Sequence, residues 1–129
     1  MLIAYYSVTG NVRRFAHKLG RPSSLYEITD PNAVMHEPYV LVTPTTGFGQ
    51  VPPRVAEFVR NNSEYLRGVA ASGSVNWGVN FAAAGRTIAD AYAVPLIHTF
   101  ELSGMDEDVR IFNERMTQIV EETAWEPRA

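Results

Sequence analysis

Five short apolar runs alternate with segments of helical spacing along this chain, and this alternation restricts its fold more than any other feature. The runs suit buried strands and span Leu2–Tyr6, Leu25–Ile28, Tyr39–Thr43, Val69–Ala71 and Val94–Phe100. Strands that alternate with helices form a parallel sheet with right-handed crossovers and helices on both faces. We therefore predict a doubly wound α/β fold with five parallel strands in the order 2-1-3-4-5.

Four helices are predicted between and after these strands, from apolar stripes within residues 12–19, 55–59, 81–92 and 109–120. Pro52 and Pro53 favour the start of the second helix, and the acidic residues 106–108 suit the start of the fourth. Residues 29–38, TDPNAVMHEP, are too polar and proline-rich for a helix. We predict a short irregular connection there.

Length and composition exclude several kinds of protein. The 129 residues suit one domain over 1–129, with a frayed tail at 123–129 that contains Pro127. Cysteine is absent, which excludes disulfides, thiolate metal sites and cysteine nucleophiles. A net charge of −3 argues against a nucleic-acid partner. We see no membrane span and no secretory leader, and so expect a cytoplasmic protein.

A cluster of basic residues lies near the N-terminus and falls on neighbouring turns of the first predicted helix: Arg13, Arg14, His17, Lys18 and Arg21. Two interpretations are open. The cluster is either a solvated helix face, as most charge runs are, or a docking surface.

Three loops should meet at one edge of the sheet, because the carboxyl ends of parallel strands lie together and ligands bind where the strand order reverses. The first, SVTGNV at 7–12, has hydroxyls and backbone N–H groups at a helix start, which is typical of an anion site as well as of a simple turn. The others, TPTTGFGQVPP at 43–53 and ASGSVNWGVN at 71–80, place glycines around Phe48 and Trp77. That pattern indicates a flat ligand, unless both rings merely anchor their loops.

Other phosphate-binding and catalytic classes fit less well. No G-x-x-x-x-G-K-[ST] motif is present, which argues against a P-loop nucleotide triphosphatase. Tyr6 and Ser7 stand where a receiver domain needs acidic residues, and a low-molecular-weight tyrosine phosphatase needs a cysteine. The three histidines fall on separate elements, so we expect neither a Ser-His-Asp triad nor a metal site, and we expect His98 to be structural.

Four motifs, in order along residues 3–120, together resemble the NrdI family, the flavodoxin-like partner of class Ib ribonucleotide reductase. They are YYSVTGNVRRF, TPTTGFGQVP, GVAASGSVNWGVNF and FELSG. The resemblance implies a flavodoxin-like fold and FMN as the cofactor. One departure is Val12, which stands where flavodoxins commonly carry a hydroxyl residue, so phosphate binding would depend more on the remaining amides.

The resemblance also implies which residues bind the cofactor. The phosphate would lie on the first loop: Ser7, Val8, Thr9, Gly10, Asn11 and Val12. The isoalloxazine would lie beside Thr43, Pro44, Thr45, Thr46, Gly47, Phe48 and Gly49. Its other side would be covered by Ala71, Ser72, Gly73, Asn76, Trp77, Gly78, Asn80 and Phe81. The last strand would close the site with Leu102, Ser103 and Gly104. Trp77 is the first choice for a stacking ring and Phe48 the second.

As in the family, reduced FMN would react with O2 to give superoxide or peroxide. This oxidant would assemble the dimanganese–tyrosyl radical cofactor of the reductase small subunit, after an unidentified reductant has reduced the flavin. No side chain of this chain need act as a catalytic acid, base or nucleophile. Two alternatives remain open: a generic flavodoxin-type single-electron carrier, and a binding module that has lost the cofactor.

Overall fold

Five parallel strands form one sheet in the order β2-β1-β3-β4-β5, which confirms the predicted topology. The strands are β1 (Leu2–Tyr5), β2 (Leu25–Glu27), β3 (Tyr39–Pro44), β4 (Leu66–Gly73) and β5 (Leu96–Glu101). This computed structural model describes residues 1–124. The strand β4 extends beyond its predicted core of Val69–Ala71 at both ends. The prediction started late because Gly68 interrupts the apolar run, and a Cβ at this glycine would lie 2.9 Å from Ile97 Cδ1.

Four helices connect or follow the strands: α1 (Asn11–Lys18), α2 (Pro53–Asn61), α3 (Ala83–Tyr92) and α4 (Asp106–Thr123). Three short 3₁₀ segments, at Pro22–Ser24, Ser63–Tyr65 and Val75–Asn80, were not predicted. The helix α3 begins two residues after Phe81, where the predicted stripe started. Of the tail predicted to fray, Thr123 is the last residue of α4 and residues 125–129 lie outside the described part of the chain.

Alternate strand residues face opposite sides of the sheet, and each side has its own core. Ile3, Val40 and Val42 pack against α1 and α4, with Phe15 stacked on Phe100 at a centroid distance of 3.9 Å. The other face carries these buried strand residues under α2 and α3: Ala4, Tyr39, Leu41 and Val69. Both faces of the sheet are therefore covered, and its strand ends are left for a site.

The connection between β2 and β3 contains no helix, as predicted, and Asn62 holds it in place. The buried Asn62 side chain accepts a hydrogen bond from Met35 N (2.7 Å) and donates to Ala33 O (2.8 Å) and Phe58 O (2.9 Å). Tyr39 donates its hydroxyl to Asn62 O at 3.1 Å. One side chain thus ties the irregular segment to the end of α2.

Candidate functional site

A cavity of about 320 Å³ opens at the carboxyl ends of β1, β3, β4 and β5. Its volume falls within the range of about 300–1,000 Å³ that is usual for small-molecule sites. The lining residues come from all four loops: Ser7, Val8, Thr9, Asn11, Val12, Pro44, Thr45, Thr46, Gly47, Ser72, Gly73, Ser74, Trp77 and Leu102. All of them except Ser74 are among the predicted site residues.

The loop between β1 and α1 is organised by Ser7. Its Oγ accepts hydrogen bonds from Gly10 N (3.1 Å) and Arg13 N (3.2 Å), so the hydroxyl hydrogen is left to donate elsewhere. Gly10 has a φ of +92°, which a residue with a side chain rarely adopts. The N–H of Arg13 is thus capped by Ser7, whereas the N–H groups of Asn11 and Val12 at the start of α1 have no partner within the helix.

The loop after β3 is a small hairpin closed by two backbone hydrogen bonds. Thr46 N donates to Gln50 O at 2.9 Å, and Gln50 N donates to Thr46 O at 2.8 Å. Between them, Gly47 and Gly49 have positive φ values of 56° and 91°. Phe48 stands at the tip with 87% of its surface exposed, and it does not line the cavity.

The loop after β4 carries Trp77, which lines the cavity with 41% of its surface exposed. Ser74 shapes this loop, because its Oγ accepts from Asn76 N (3.3 Å) and its carbonyl accepts from Trp77 N (3.1 Å). Arg86 of α3 donates to Val79 O (3.0 Å) and holds the far side of the loop. The aromatic ring is therefore positioned by the turn before it and by a helix behind it.

The loop after β5 divides two cavities. Leu102, with a φ of +52°, lines the first cavity, and its N–H donates to Gly73 O at 3.0 Å. A second cavity of about 560 Å³ lies beside the first. Three predicted site residues line this second cavity and not the first: Phe81, Ser103 and Gly104.

The remaining predicted residues line neither cavity: Gly10, Thr43, Phe48, Gly49, Ala71, Asn76, Gly78 and Asn80. Thr43 and Ala71 are fully buried within their strands. Gly49 and Asn80 mark a contact between two loops, because a Cβ at residue 49 would lie 3.0 Å from Asn80 Oδ1. These residues shape the loops around the first cavity, and their roles toward a ligand remain predictions.

Ser74 is the lining residue that the sequence interpretation missed. It directly follows Gly73 in the quoted ASGSVNWGVN loop, so its position next to a predicted residue was an available signal. Arg86 was also missed, and it offers no local signal because it acts from α3 across several residues.

Within the described residues 1–124, the lining of the first cavity contains no aspartate, glutamate, lysine, arginine or histidine. The side chains there can bind and orient a ligand, but they do not include an ionisable acid or base. His98 lies away from this cavity, with Nε2 2.7 Å from Asp108 Oδ1 at the start of α4. Burial acts to raise the pKa of Asp108, but hydrogen bonds from His98 and Met105 N outweigh it and hold this pKa below its usual range.

The residues present fit a ligand with an anionic group and a flat apolar ring. Ser7 and Thr9 bring hydroxyls to one part of the cavity, and Asn11 and Val12 bring N–H groups from the start of α1. Trp77 and Leu102 give another part an aromatic and aliphatic lining. The N–H donors need no side-chain charge to bind an anion, because a helix N-terminus carries partial positive charge.

A family model described as NrdI flavodoxin-like matches residues 3–114. Among solved structures, a short-chain flavodoxin associated with a non-canonical PDU bacterial microcompartment is similar with a TM-score of 0.68 and 20% identity, over 95% of this chain and 99% of that one. Oxidised flavodoxin 1 from Bacillus cereus is similar with a TM-score of 0.64 and 15% identity, over 93% and 96% of the two chains. At these identities the structural likeness shows the fold.

Proposed function

The chain belongs to the NrdI flavodoxin-like family, and we propose that it supplies oxidant to a class Ib ribonucleotide reductase from FMN bound in the first cavity. The family and fold are those of an FMN-binding flavodoxin-type protein. The proposed oxidant is superoxide or peroxide, and its target is the dimanganese–tyrosyl radical cofactor of the reductase small subunit. The observation that supports this proposal is the cavity itself, which joins the start of α1 to the ring of Trp77.

The proposed binding mode assigns a part to each loop. The phosphate would be held by Ser7, Thr9 and the first N–H groups of α1, and the ring would lie between the Thr46–Gly47 segment and Trp77. Bound FMN would supply the electron transfer and, when reduced, the reaction with O2. Because the lining holds no ionisable side chain, the protein's own contribution would be binding, orientation and control of access.

Two exposed apolar side chains support a protein partner at this edge of the sheet. Phe48 and Val79 are 87% and 89% exposed, and they lie on the two loops that border the cavity. Apolar side chains grouped beside a site are common in docking surfaces. We propose that both contact the reductase small subunit while it receives the oxidant.

The proposed function can be tested by radical formation. The FMN-loaded protein, after reduction, would be mixed with O2 and the Mn(II)-loaded small subunit of a class Ib reductase, and the tyrosyl radical measured by electron paramagnetic resonance. We expect radical only when this protein is present, and an ordinary short-chain flavodoxin in its place should give none. A double substitution, Phe48→Ser with Val79→Ser, should lower the radical yield without lowering FMN content.

The alternative of a generic single-electron carrier predicts a different result. In that case the reduced protein would pass electrons to a one-electron acceptor such as cytochrome c but yield no more radical than the ordinary flavodoxin does.

No helix within residues 1–124 is long and apolar enough to cross a membrane. We propose the cytoplasm as its location, where the reductase would also act.

A further inference from the structure

Arg14 reaches back from the first full turn of α1 to join two loops beside the cavity. Its Nη2 donates to Asn11 Oδ1 at 2.7 Å, and its Nε donates to Ser103 Oγ at 3.0 Å. Ser103 in turn donates its hydroxyl to Asn11 Oδ1 at 2.8 Å. The three side chains form a closed hydrogen-bonded ring between the β1–α1 loop and the β5–α4 loop.

This ring determines which way the Asn11 amide points. Its oxygen accepts from both Arg14 and Ser103, and arginine can only donate, so the oxygen must face them. The Asn11 Nδ2 group is thereby turned the other way, toward Thr9 Oγ1 at 3.4 Å. Asn11 and Thr9 both line the cavity, so Arg14 turns an amide donor toward the loop that is predicted to hold the phosphate.

The Arg14 guanidinium also lies directly against the predicted phosphate loop. A Cβ at Gly10 would lie 2.8 Å from Arg14 Nη1, so the guanidinium would have to move away if residue 10 carried a side chain. Within residues 1–124, Nη1 has no hydrogen-bond partner and Arg14 has no ion pair with a carboxylate. Arg13 is different, because its guanidinium is paired with Glu27.

Two other members of the basic cluster, Lys18 and Arg21, are engaged within the molecule. Lys18 Nζ donates to Gly104 O at 2.7 Å, and Arg21 Nε donates to Asn113 Oδ1 at 2.8 Å. Much of the cluster therefore fastens α1 to Glu27, to the β5–α4 loop and to α4. Arg14 is the member whose charge lies against Gly10 and Asn11 of the predicted phosphate loop, and within residues 1–124 it has no carboxylate to neutralise it.

We propose that Arg14 is a positioning and specificity residue that favours a phosphorylated flavin over its unphosphorylated counterpart. This inference rests on the proposed FMN site. A phosphate monoester carries a charge of about −1.5 to −2 at pH 7, whereas riboflavin is neutral at that end. Arg14 orients the Asn11 donor toward the anion and adds a positive charge beside a lining that has none.

The test measures dissociation constants of the apoprotein for FMN and for riboflavin, by quenching of flavin fluorescence. Arg14→Met removes the charge and the donors but keeps an unbranched stem. We expect it to weaken FMN binding by about tenfold or more and riboflavin binding by less than about twofold. Arg13→Met is the matched control, since it removes a neighbouring cation that is already paired, and it should change both constants by less than about twofold.

Equal weakening of both flavins in Arg14→Met would overturn the proposal, because it would mean that Arg14 only supports the loops. Unchanged FMN binding would overturn it as well. If Arg14→Met does not fold, as judged by thermal unfolding of the apoprotein, Arg14→Lys takes its place. This variant keeps the positive charge and loses the planar guanidinium donors, so the preference for FMN over riboflavin should persist. Complete loss of that preference would contradict the charge effect.

Two further observations separate this inference from the proposed function. In the wild type, raising the salt concentration should weaken FMN binding and leave riboflavin binding nearly constant, because only the phosphate interaction is screened. A wild type that binds neither flavin would refute the FMN site itself. A wild type that binds both flavins equally well, at low and high salt, would leave the flavin site intact and refute the role of Arg14.

Discussion

A Cβ atom at Gly73 would lie 2.5 Å from the backbone nitrogen of Ala82, so the two backbone segments approach more closely than any side chain permits. Gly73 ends β4, and Ala82, with a φ of +50°, directly precedes α3. The residues between them therefore form a closed loop whose ends are in contact. This contact places Trp77 against the cavity, so a substitution that breaks the contact should weaken ligand binding there.

Gly73→Ala should displace this loop. The clash is with backbone, which cannot be relieved by a change of rotamer, so we expect FMN binding to weaken by about tenfold or more. Gly20→Ala is the control: Gly20 has a positive φ of 70°, so the substitution strains the backbone, but a Cβ there meets nothing within 4 Å. It should cost about 1–2 kcal/mol of stability and leave the FMN dissociation constant unchanged. Similar binding losses in both variants would contradict this account of the loop.

Trp77 and Phe48 should differ as ligand contacts, although each stands among glycines in the sequence. Trp77 lines the cavity and Phe48 does not. Trp77→Ala is expected to weaken FMN binding about tenfold through lost stacking and burial, and Trp77→Phe should recover most of that loss. Phe48→Ala should bind FMN as the wild type does. Fluorescence titration of the three variants decides the matter, and a larger effect at Phe48 would reverse the assignment.

The topology could be predicted because each strand and helix carries its own apolar pattern, and because a parallel sheet brings its loops to one edge. Ser7, Gly47 and Trp77 were identified in this way, from loop chemistry next to a strand end. The orientation of the Phe48 ring could not be predicted from its local sequence. A glycine-flanked aromatic has the same local signature whether its ring turns toward a cavity or toward solvent, and the closure of the Thr46–Gln50 hairpin decides which.

Long-range side-chain contacts also could not be predicted from the sequence. Arg14 meets Ser103 across most of the chain, and Asn62 meets Met35 through an irregular segment with no periodicity. Neither contact has a pattern of spacing from which it could be inferred. Propensity and periodicity describe elements, whereas these bonds depend on how finished elements pack.

The hydrogen bonds of the Asn62 side chain should contribute strongly to stability. Asn62→Ala leaves the Met35 N–H and the carbonyls of Ala33 and Phe58 without this partner in a largely buried place, and we expect a loss of about 2–4 kcal/mol in the free energy of unfolding. Asn61→Ala removes one exposed hydrogen bond, to Pro31 O, and should cost less than about 1 kcal/mol. Urea denaturation measures both, and equal losses would contradict the role of the buried amide.

The His98–Asp108 pair should contribute to the free energy of unfolding near neutral pH and lose this contribution at acid pH. Folding lowers the pKa of Asp108, because the bonds from His98 and Met105 N outweigh the opposing effect of burial. A carboxyl whose pKa is lowered by folding stabilises the protein above its unfolded-state pKa and loses this effect as the pH falls through the folded-state value.

Asp108→Asn should therefore be less stable than the wild type at pH 6, and the difference should shrink as the pH falls below about 4. Urea denaturation at a series of pH values measures this convergence. Asp106→Asn changes an exposed residue on the same turn of α4 and serves as the control. A difference between wild type and Asp108→Asn that stays constant from pH 6 to pH 2.5 would show that ionisation of Asp108 is not the cause.

The most direct test of the central claim is the visible absorption spectrum of the purified protein after incubation with excess FMN and removal of the unbound flavin. We expect flavin bands that remain with the protein, at about one FMN per chain, and that are weaker for Gly73→Ala prepared in the same way. A folded wild-type protein that stays colourless after this treatment would contradict an FMN site at the strand ends.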